Sequence, residues 1–160
     1  MVDPLRPLHE LPDAAIALHA VADDWRDAIR ASAQALAAAG FAEPEYGERM
    51  IALVEEFGPY IVIAPGLALA HARPGPDVHG AGLSIVTLAQ PVAFGHSHND
   101  PVSVVLGLAA TENDQHVASI ASLANVFNDE SVIPAIAAAV TADEVRALLR
   151  RASSQPAAGA

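Results

Sequence analysis

Two helical patterns occupy the first third of the chain. Apolar side chains recur at helical spacing from Trp25 to Leu36, with alanines filling the same face. Asp23 or Asp24 suits the N-cap of this helix, and Gly40 suits its C-terminal stop. A second helix is predicted from Pro44 to about Phe57, because proline fits a first helical turn and a Gly-Pro pair ends the pattern.

The middle of the chain predicts β-strands over residues 60–64, 67–70, 83–89 and 102–109. The second of these is either a continuation of the first or a separate strand. Glycine or proline bounds the segments, and β-branched or alternating apolar residues fill them. The last segment, VSVVLGLA, is apolar almost throughout, which is typical of a central strand that is covered on both faces.

Helical patterns return towards the C-terminus, at about 115–127, 129–140 and 145–150. Capping-box spacings precede the first and third of them (Thr111 with Asp114, Thr141 with Glu144), and Asp129 suits the cap of the second. Helices at both ends with strands between them predict an α/β fold, a mixed β-sheet flanked by helices in a three-layer α/β/α sandwich. We expect one domain over residues 11–151, an irregular lead-in over 1–10 and a disordered tail over 152–160.

Composition narrows the classes of function. The 160 residues are 52% hydrophobic and 17% charged, as in a compact globular protein, and the net charge of -11 disfavours nucleic acid and anionic membranes as partners. Cysteine is absent, which excludes disulfides, zinc-thiolate sites and cysteine nucleophiles. The start resembles no signal peptide, and no apolar run is long enough to span a membrane. We therefore expect a cytoplasmic protein without direct membrane insertion.

Several familiar catalytic motifs are also missing. The chain has neither a phosphate-binding G-x-x-x-x-G-K-[ST] loop nor a G-x-G-x-x-G turn, so no nucleotide cofactor is expected. No G-x-S-x-G motif supports a serine hydrolase. The unusual feature that remains is histidine, with seven copies against eight lysines and arginines.

His71 is the best-placed candidate. The segment IVIAPGLALAHARP (61–74) carries a predicted strand into His71 and Arg73, just ahead of a Pro-Gly-Pro turn where no strand can continue. Imidazole is a competent nucleophile near neutral pH when a neighbour fixes its tautomer. Arg73 is a candidate for pairing with an anion. From spacing alone, a surface histidine that ends a strand is an equally good interpretation.

The other histidines offer weaker candidates. His116 lies in the first turn of a predicted helix, where the helix dipole favours a neutral ring that can hydrogen-bond a phosphoryl group; a helix-surface histidine is the simpler interpretation. His96 and His98 belong to the polar cluster GHSHND, which also contains Asn99 and Asp100. Two histidines at this spacing suit a metal, but without a telling third ligand a solvated loop is the better interpretation. No metal site is predicted.

The chain resembles a known family along nearly its whole length, from about residue 11 to 150. The segments that carry the resemblance are ADDWRDAI (22–29), EPEY (43–46), FGPYIVIAPGLALAHARP (57–74), LSIVTLAQPVAFGHSHNDPV (83–102) and DQHVASI (114–120). They are similar to the IIA components of the bacterial phosphoenolpyruvate-dependent sugar phosphotransferase system (PTS), of the mannitol/fructose structural type. Within that type, the chain looks most like the ascorbate-specific IIA proteins.

This resemblance implies a phosphotransferase with a phosphohistidine intermediate. His71 would accept a phosphoryl group from the phosphocarrier HPr and pass it to a IIB component for sugar uptake, with His116 beside it. Arg73, Asn99 and Asp100 are expected around the phosphoryl group, the last two shaping the loop rather than reacting. Because the donor is already a phosphohistidine, no cofactor is needed. A homo-oligomer is neither required nor excluded.

Two departures from the family pattern accompany the resemblance. Alanine stands at position 70, where the family has a proline before the histidine, and alanine can adopt the same conformation. The arginine of the mannitol branch aligns with Val54 or Glu55, so either Arg73 replaces it or backbone donors do. A regulatory IIA-like protein, which signals through phosphorylation-dependent binding, is the alternative function.

Overall fold

The computed structural model describes residues 11–112, 120–121, 123 and 127–154. A short 3-10 helix, Asp13–Ala15, precedes strand β1. In chain order the elements are β1 (Ile16–Ala20), α1 (Trp25–Ala38), α2 (Tyr46–Phe57), β2 (Val62–Ala64), β3 (Leu67–His71), β4 (Gly82–Val92), β5 (Val102–Ala109), α3 (Val132–Ala138) and α4 (Ala142–Ser154). The helix predicted at 115–127 falls largely outside the described residues.

The five strands form one mixed sheet in the order β1-β4-β5-β3-β2. β1 runs parallel to β4 and β3 runs parallel to β5, whereas the β4–β5 and β2–β3 pairs are antiparallel. Helices α1 and α2 pack on one face of the sheet, and α3 and α4 pack on the other. This arrangement confirms the predicted three-layer α/β/α sandwich.

Strand β3 shows why the two faces accept different helices. Ala68 and Ala70 point into the cluster built with α1 and α2, while Leu67 and Leu69 point into the cluster built with α3 and α4. All four side chains are buried, as expected for a strand with a neighbour on each side and helices above and below. The small alanines let α1 and α2 approach the sheet closely. The alternation of large and small side chains therefore determines which helices pack on each face of β3.

Two of the predicted helix caps are confirmed, a third is not, and the predicted pair of Thr111 with Asp114 lies partly outside the described residues. The carboxylate of Asp24 accepts a hydrogen bond from the backbone N–H of Asp27 at 3.0 Å, which places the start of α1 where the sequence predicts it. Thr141 Oγ1 accepts from the N–H of Glu144 at 3.1 Å at the start of α4. Asp129 lies further from its helix, because it binds the N–H and hydroxyl of Ser131, the residue before α3.

One strand was missed by the sequence prediction, and several element boundaries differ from it. β1 was not predicted, because it is only five residues long and is distorted at His19, whose φ of 55° is unusual outside glycine. β4 extends past Pro91, which a strand tolerates here because the pairing with β5 shifts register between Thr87 and Val92. α4 continues to Ser154, so helical structure extends three residues into the segment expected to be a disordered tail.

Within the described residues, no helix is long and apolar enough to cross a membrane.

Gly107 on β5 permits the close approach of α1 to the centre of the sheet. A Cβ at this position would overlap Ser84 Oγ and would lie 3.2 Å from both Leu36 Cδ1 and the carbonyl oxygen of Ser32. The last two atoms belong to α1, and the hydroxyl of Ser84 is already held by the carbonyl of Ser32 at 2.9 Å. The site therefore has no room for a methyl group.

We expect Gly107→Ala to lower the free energy of unfolding by about 1–3 kcal/mol, the usual cost of overpacking a core. Urea unfolding followed by circular dichroism measures this change. Gly80→Ala is the matched control, since its new Cβ would meet only Phe41 Cδ1, at 3.9 Å. Equal stabilities of the two variants would contradict the packing argument.

Candidate functional site

His71 lies at the C-terminal end of β3, where it pairs with Leu108 of β5. The strand end opens into a cavity of ≈ 570 Å³ that faces solvent. Its walls come from α2, from the turn before β2 and from the chain after β3; the lining residues are Arg49, Ala52, Leu53, Glu56, Phe57, Tyr60, His71, Ala72 and Arg73. The predicted nucleophile is thus at the wall of a cavity rather than on an open surface.

The imidazole of His71 is held in one tautomer. Its Nδ1 lies 2.8 Å from the carbonyl oxygen of Leu69, two residues earlier on the same strand. A carbonyl oxygen only accepts hydrogen bonds, so Nδ1 carries the proton and Nε2 carries the lone pair. The ring of Tyr60 meets the imidazole edge-on, with centroids 5.7 Å apart and an interplanar angle of 88°. These contacts orient the ring with Nε2 as its basic nitrogen.

Burial also keeps this ring neutral. Removal of His71 from water lowers its pKa below the ordinary histidine value of 6.5, and the hydrogen bond to Leu69 opposes that shift only in part. A neutral imidazole with its lone pair on Nε2 is the nucleophilic form. At neutral pH, the side chain is therefore ready to attack an electrophile without first losing a proton.

Two arginines line the same cavity. Arg73 follows His71 by two residues and is exposed. Arg49 comes from α2, and its Nε and Nη2 donate to the two carboxylate oxygens of Asp77 at 2.9 and 2.8 Å. That pairing raises the pKa of Arg49 and lowers the pKa of Asp77. The cavity wall therefore carries two guanidinium groups beside a neutral histidine, together with the carboxylate of Glu56 and the Asp77 carboxylate that pairs with Arg49.

Arg49 was missed by the sequence reasoning, which looked for an arginine at Val54 or Glu55. Val54 is buried in the core, and Glu55 pairs with Arg26 at 3.4 Å, outside the cavity. A usable signal was present in the sequence. Arg49, Leu53 and Glu56 recur at positions i, i+4 and i+7 of the predicted helix and share one face, the face that borders the cavity.

Asn99 and Asp100 do not lie with His71. They precede β5, whose start is beside the start of β3, and the carbonyl of Asn99 accepts from the N–H of Gly66 at 2.9 Å. The length of β3, roughly 13 Å, separates this end of the sheet from His71. The expectation that these two residues surround the phosphoryl group is therefore wrong, because β5 runs parallel to β3 and its leading loop must lie at the opposite end.

The GHSHND loop is organised by Asp100 instead. Its carboxylate accepts hydrogen bonds from the N–H groups of Phe94, Gly95 and His96 at 2.8 to 3.0 Å. His96 Nδ1 in turn accepts from the N–H groups of residues 98 and 99 at 3.2 and 3.1 Å. Asp100 thus shapes a loop, as expected, but one at the far end of the sheet.

Two further expectations from the sequence concern metal ligation and His116. Across the part of the chain that the structure describes, no group of three or more His, Asp or Glu side chains could hold a metal ion. His116 lies outside the described residues. The strand that leads to it, β5, ends beside His71.

Comparisons with known proteins agree with this architecture. Residues 11–152 match the family model "Phosphoenolpyruvate-dependent sugar phosphotransferase system, EIIA 2". The ascorbate-specific PTS system EIIA component of Salmonella typhimurium is 40% identical over 140 residues, which cover 87% of this chain and 91% of that protein.

Solved structures show the same fold. The crystal structure of IIA mannitol from Escherichia coli has a TM-score of 0.75 and 31% identity, over 88% of this chain and 99% of that one. The complex of enzyme IIAMtl with phosphorylated enzyme IIBMtl from Escherichia coli gives 0.76 and 30%, over 89% and 98%. The chain therefore belongs to the EIIA 2 family, the phosphoryl-transfer IIA components of the phosphoenolpyruvate-dependent sugar phosphotransferase system.

Proposed function

We propose that this protein accepts a phosphoryl group from phospho-HPr on Nε2 of His71 and passes it to a IIB component in the cytoplasm. The observation that carries the proposal is the hydrogen bond from Nδ1 of His71 to the carbonyl of Leu69, which leaves the lone pair on Nε2. Curated relatives that are 39–40% identical to this chain are ascorbate-specific, so an ascorbate-like sugar is the favoured substrate of the system.

The transfer needs no proton from solvent and no metal-bound nucleophile. The Nε2 lone pair attacks phosphorus as the P–N bond to the imidazole of HPr breaks. That imidazole takes the bonding electron pair and leaves as a neutral ring, because its other nitrogen carries a proton in the phosphorylated donor. In the second transfer, a nucleophile of IIB attacks phosphorus, the P–N bond to His71 breaks, and His71 returns to its neutral ring. Each step breaks one bond to phosphorus as another forms, so positioning and charge stabilisation supply the catalysis.

The dianionic phosphoryl group would lie among the cations of the cavity. Arg73 is two residues from the nucleophile, and Arg49 borders the same cavity. Asp77 takes two of the five N–H groups of the Arg49 guanidinium, and the others remain to meet phosphoryl oxygens. We propose that Arg49 and Arg73 together replace the arginine that is missing at position 54 or 55.

The rim of the cavity suits a transient protein partner. Phe57 and Tyr60 are 66% and 44% exposed, which is unusual for large aromatic side chains on a small protein. They line the same cavity as His71, and the Tyr60 ring contacts the imidazole, so a partner that binds them lies beside the histidine. In a related pair of proteins, Escherichia coli IIAMtl forms a complex with phosphorylated IIBMtl.

Incubation with enzyme I, HPr and phosphoenolpyruvate should add one acid-labile phosphoryl group to the wild-type protein, seen as a mass increase. His71→Ala should abolish the adduct. His79→Ala is the matched control, because His79 pairs with Glu43 at 2.8 Å outside the cavity and should not alter labelling. An adduct that persists in His71→Ala would refute the assignment, and a phosphorylated protein that labels no IIB partner would favour the regulatory alternative.

The pH dependence follows from the lowered pKa of His71. A ¹⁵N NMR titration should give a midpoint below 6.5 in the folded protein and an ordinary value in urea. Because the unfolded chain binds the proton first, acidification through about pH 6.5 should reduce the stability of the fold until the folded-state pKa is passed. A midpoint at or above 6.5 would contradict the buried, neutral ring.

Removal of one cavity cation should slow the transfer. Arg49→Gln is expected to reduce the rate of phosphoryl acceptance by about 100-fold, the usual effect of losing one donor to a developing charge. Arg30→Gln is the control: it also loses carboxylate contacts on a helix surface, to Glu48 and Asp27, but borders no part of the cavity. Quenched-flow assays with phospho-HPr measure the rate of phosphoryl acceptance in both variants. Equal rates in Arg49→Gln and Arg30→Gln would exclude a role for Arg49.

A further inference from the structure

Tyr46 is a polar side chain that the phosphoryl-transfer scheme does not use. It starts α2 and is fully buried, with 0% exposure. Its hydroxyl oxygen lies 2.7 Å from the carbonyl of Leu108, 3.0 Å from the N–H of Ala72 and 3.0 Å from the carbonyl of Ala72. Burial raises its pKa, so the hydroxyl keeps its proton. Such a fully buried hydroxyl is costly to retain unless its hydrogen bonds are made.

The hydroxyl joins the ends of two strands. The parallel ladder between β3 and β5 stops at the pair of His71 with Leu108, so the next N–H, that of Ala72, has no strand partner. The Tyr46 oxygen accepts from this N–H and donates its single proton to the nearer carbonyl, that of Leu108. One side-chain atom therefore extends the β3–β5 pairing one residue beyond His71.

This bond acts directly on the geometry of the nucleophile. The peptide between His71 and Ala72 carries the N–H that Tyr46 binds, so its plane sets the backbone torsion of His71. The imidazole is itself tied back to Leu69 on the same strand. If the strand end loosens, both the tautomer and the direction of Nε2 lose their restraint.

The same residue also orients a cation of the cavity. The guanidinium of Arg49 lies over the Tyr46 ring, with its central carbon 5.1 Å from the ring centroid. Arg49 is further held by Asp77 in the chain that follows β3. Tyr46 thus contacts both the segment that presents His71 and the arginine that lines its cavity.

We propose that Tyr46 is a positioning residue for phosphoryl transfer, whose hydroxyl clamps Ala72 to Leu108 and thereby aims Nε2 of His71 into the cavity. Tyr46 touches neither the phosphoryl group nor the partner. The inference rests on the proposed function, and it adds a buried residue of α2 to a site whose cavity α2 also lines.

Tyr46→Phe tests the clamp, because it removes one oxygen and keeps the ring under Arg49. We expect the rate of phosphoryl acceptance from phospho-HPr to fall roughly tenfold or more, because a small displacement of a reacting atom slows a reaction strongly. Thr87→Val is the matched control. It also deletes one buried hydroxyl, which accepts from the N–H of His19 at 2.7 Å, but it lies on β4 away from the cavity.

Both variants should lose similar stability in urea, so stability alone cannot explain a difference in rate. A rate for Tyr46→Phe within twofold of wild type, or an equal loss in Thr87→Val, would overturn the proposal. The assays are run at a temperature where circular dichroism shows both variants folded.

A second readout does not depend on any partner. In ¹⁵N NMR spectra, the wild-type His71 should show the Nδ1–H tautomer, and Tyr46→Phe should show mixed tautomers with a midpoint closer to the ordinary histidine value. An unchanged His71 spectrum in Tyr46→Phe would overturn the positioning role. If wild type is not phosphorylated by HPr but the spectrum responds, the proposed function fails while the clamp stands.

A fluorinated side chain covers the case in which Tyr46→Phe does not fold. In a Tyr60→Phe background, difluorotyrosine at position 46 keeps the volume and makes the hydroxyl a weaker acceptor for the N–H of Ala72. Relative to Tyr60→Phe alone, we expect faster hydrogen exchange at Ala72 and a smaller decrease in the transfer rate. If Ala72 exchanges faster while the rate and the His71 spectrum stay constant, the clamp does not position the nucleophile.

Discussion

The parallel pairing of β3 with β5 is the constraint on which the site depends. It buries β3 between two strands and two helical layers, and its register pairs His71 with Leu108. A slip of one residue would exchange the leucine and alanine faces of β3, placing bulky side chains under α1 and α2 where Gly107 and the alanines leave no room. The position of His71 is therefore fixed by core packing, at a point where the chain turns away from the sheet.

Once His71 is held at this position, a few neighbouring groups determine its chemistry. The strand supplies the carbonyl of Leu69, which accepts a hydrogen bond from Nδ1–H of His71. Burial removes the water that would favour the imidazolium form. In a chain with a net charge of -11, Arg49 and Arg73 bring two of its eight basic side chains to the wall of one cavity. An acidic protein also associates readily with a basic partner surface, and such steering suits a carrier that must bind and release quickly.

Much of this could be predicted from the sequence. The period of the apolar residues identified α1, α2 and the buried strands, and the side chains of Asp24 and Thr141 make the caps expected of them. His71 could be identified as a candidate because a Pro-Gly-Pro turn follows its strand. β1 escaped prediction because a five-residue strand with a distorted fourth position has too little alternation to detect.

The misplaced residues had a different cause. Asn99 and Asp100 are polar neighbours of two histidines in sequence, but strand direction puts their loop at the other end of the sheet. Arg49 was overlooked because its partner, Asp77, lies 28 residues away and meets it only after folding. Tyr46 is similar, since its hydroxyl bridges segments 26 and 62 residues distant. Periodicity identifies elements, whereas contacts between distant segments require the register of the sheet.

The most direct test of the account is the identity of the phosphorylated atom. ¹⁵N–³¹P correlation NMR on the protein phosphorylated through HPr identifies the imidazole nitrogen that carries phosphorus. The structure predicts a single phosphoramidate at Nε2 of His71, with Nδ1 still protonated and bound to the carbonyl of Leu69. A phosphoryl group on Nδ1 of His71, or on any other histidine, would contradict it.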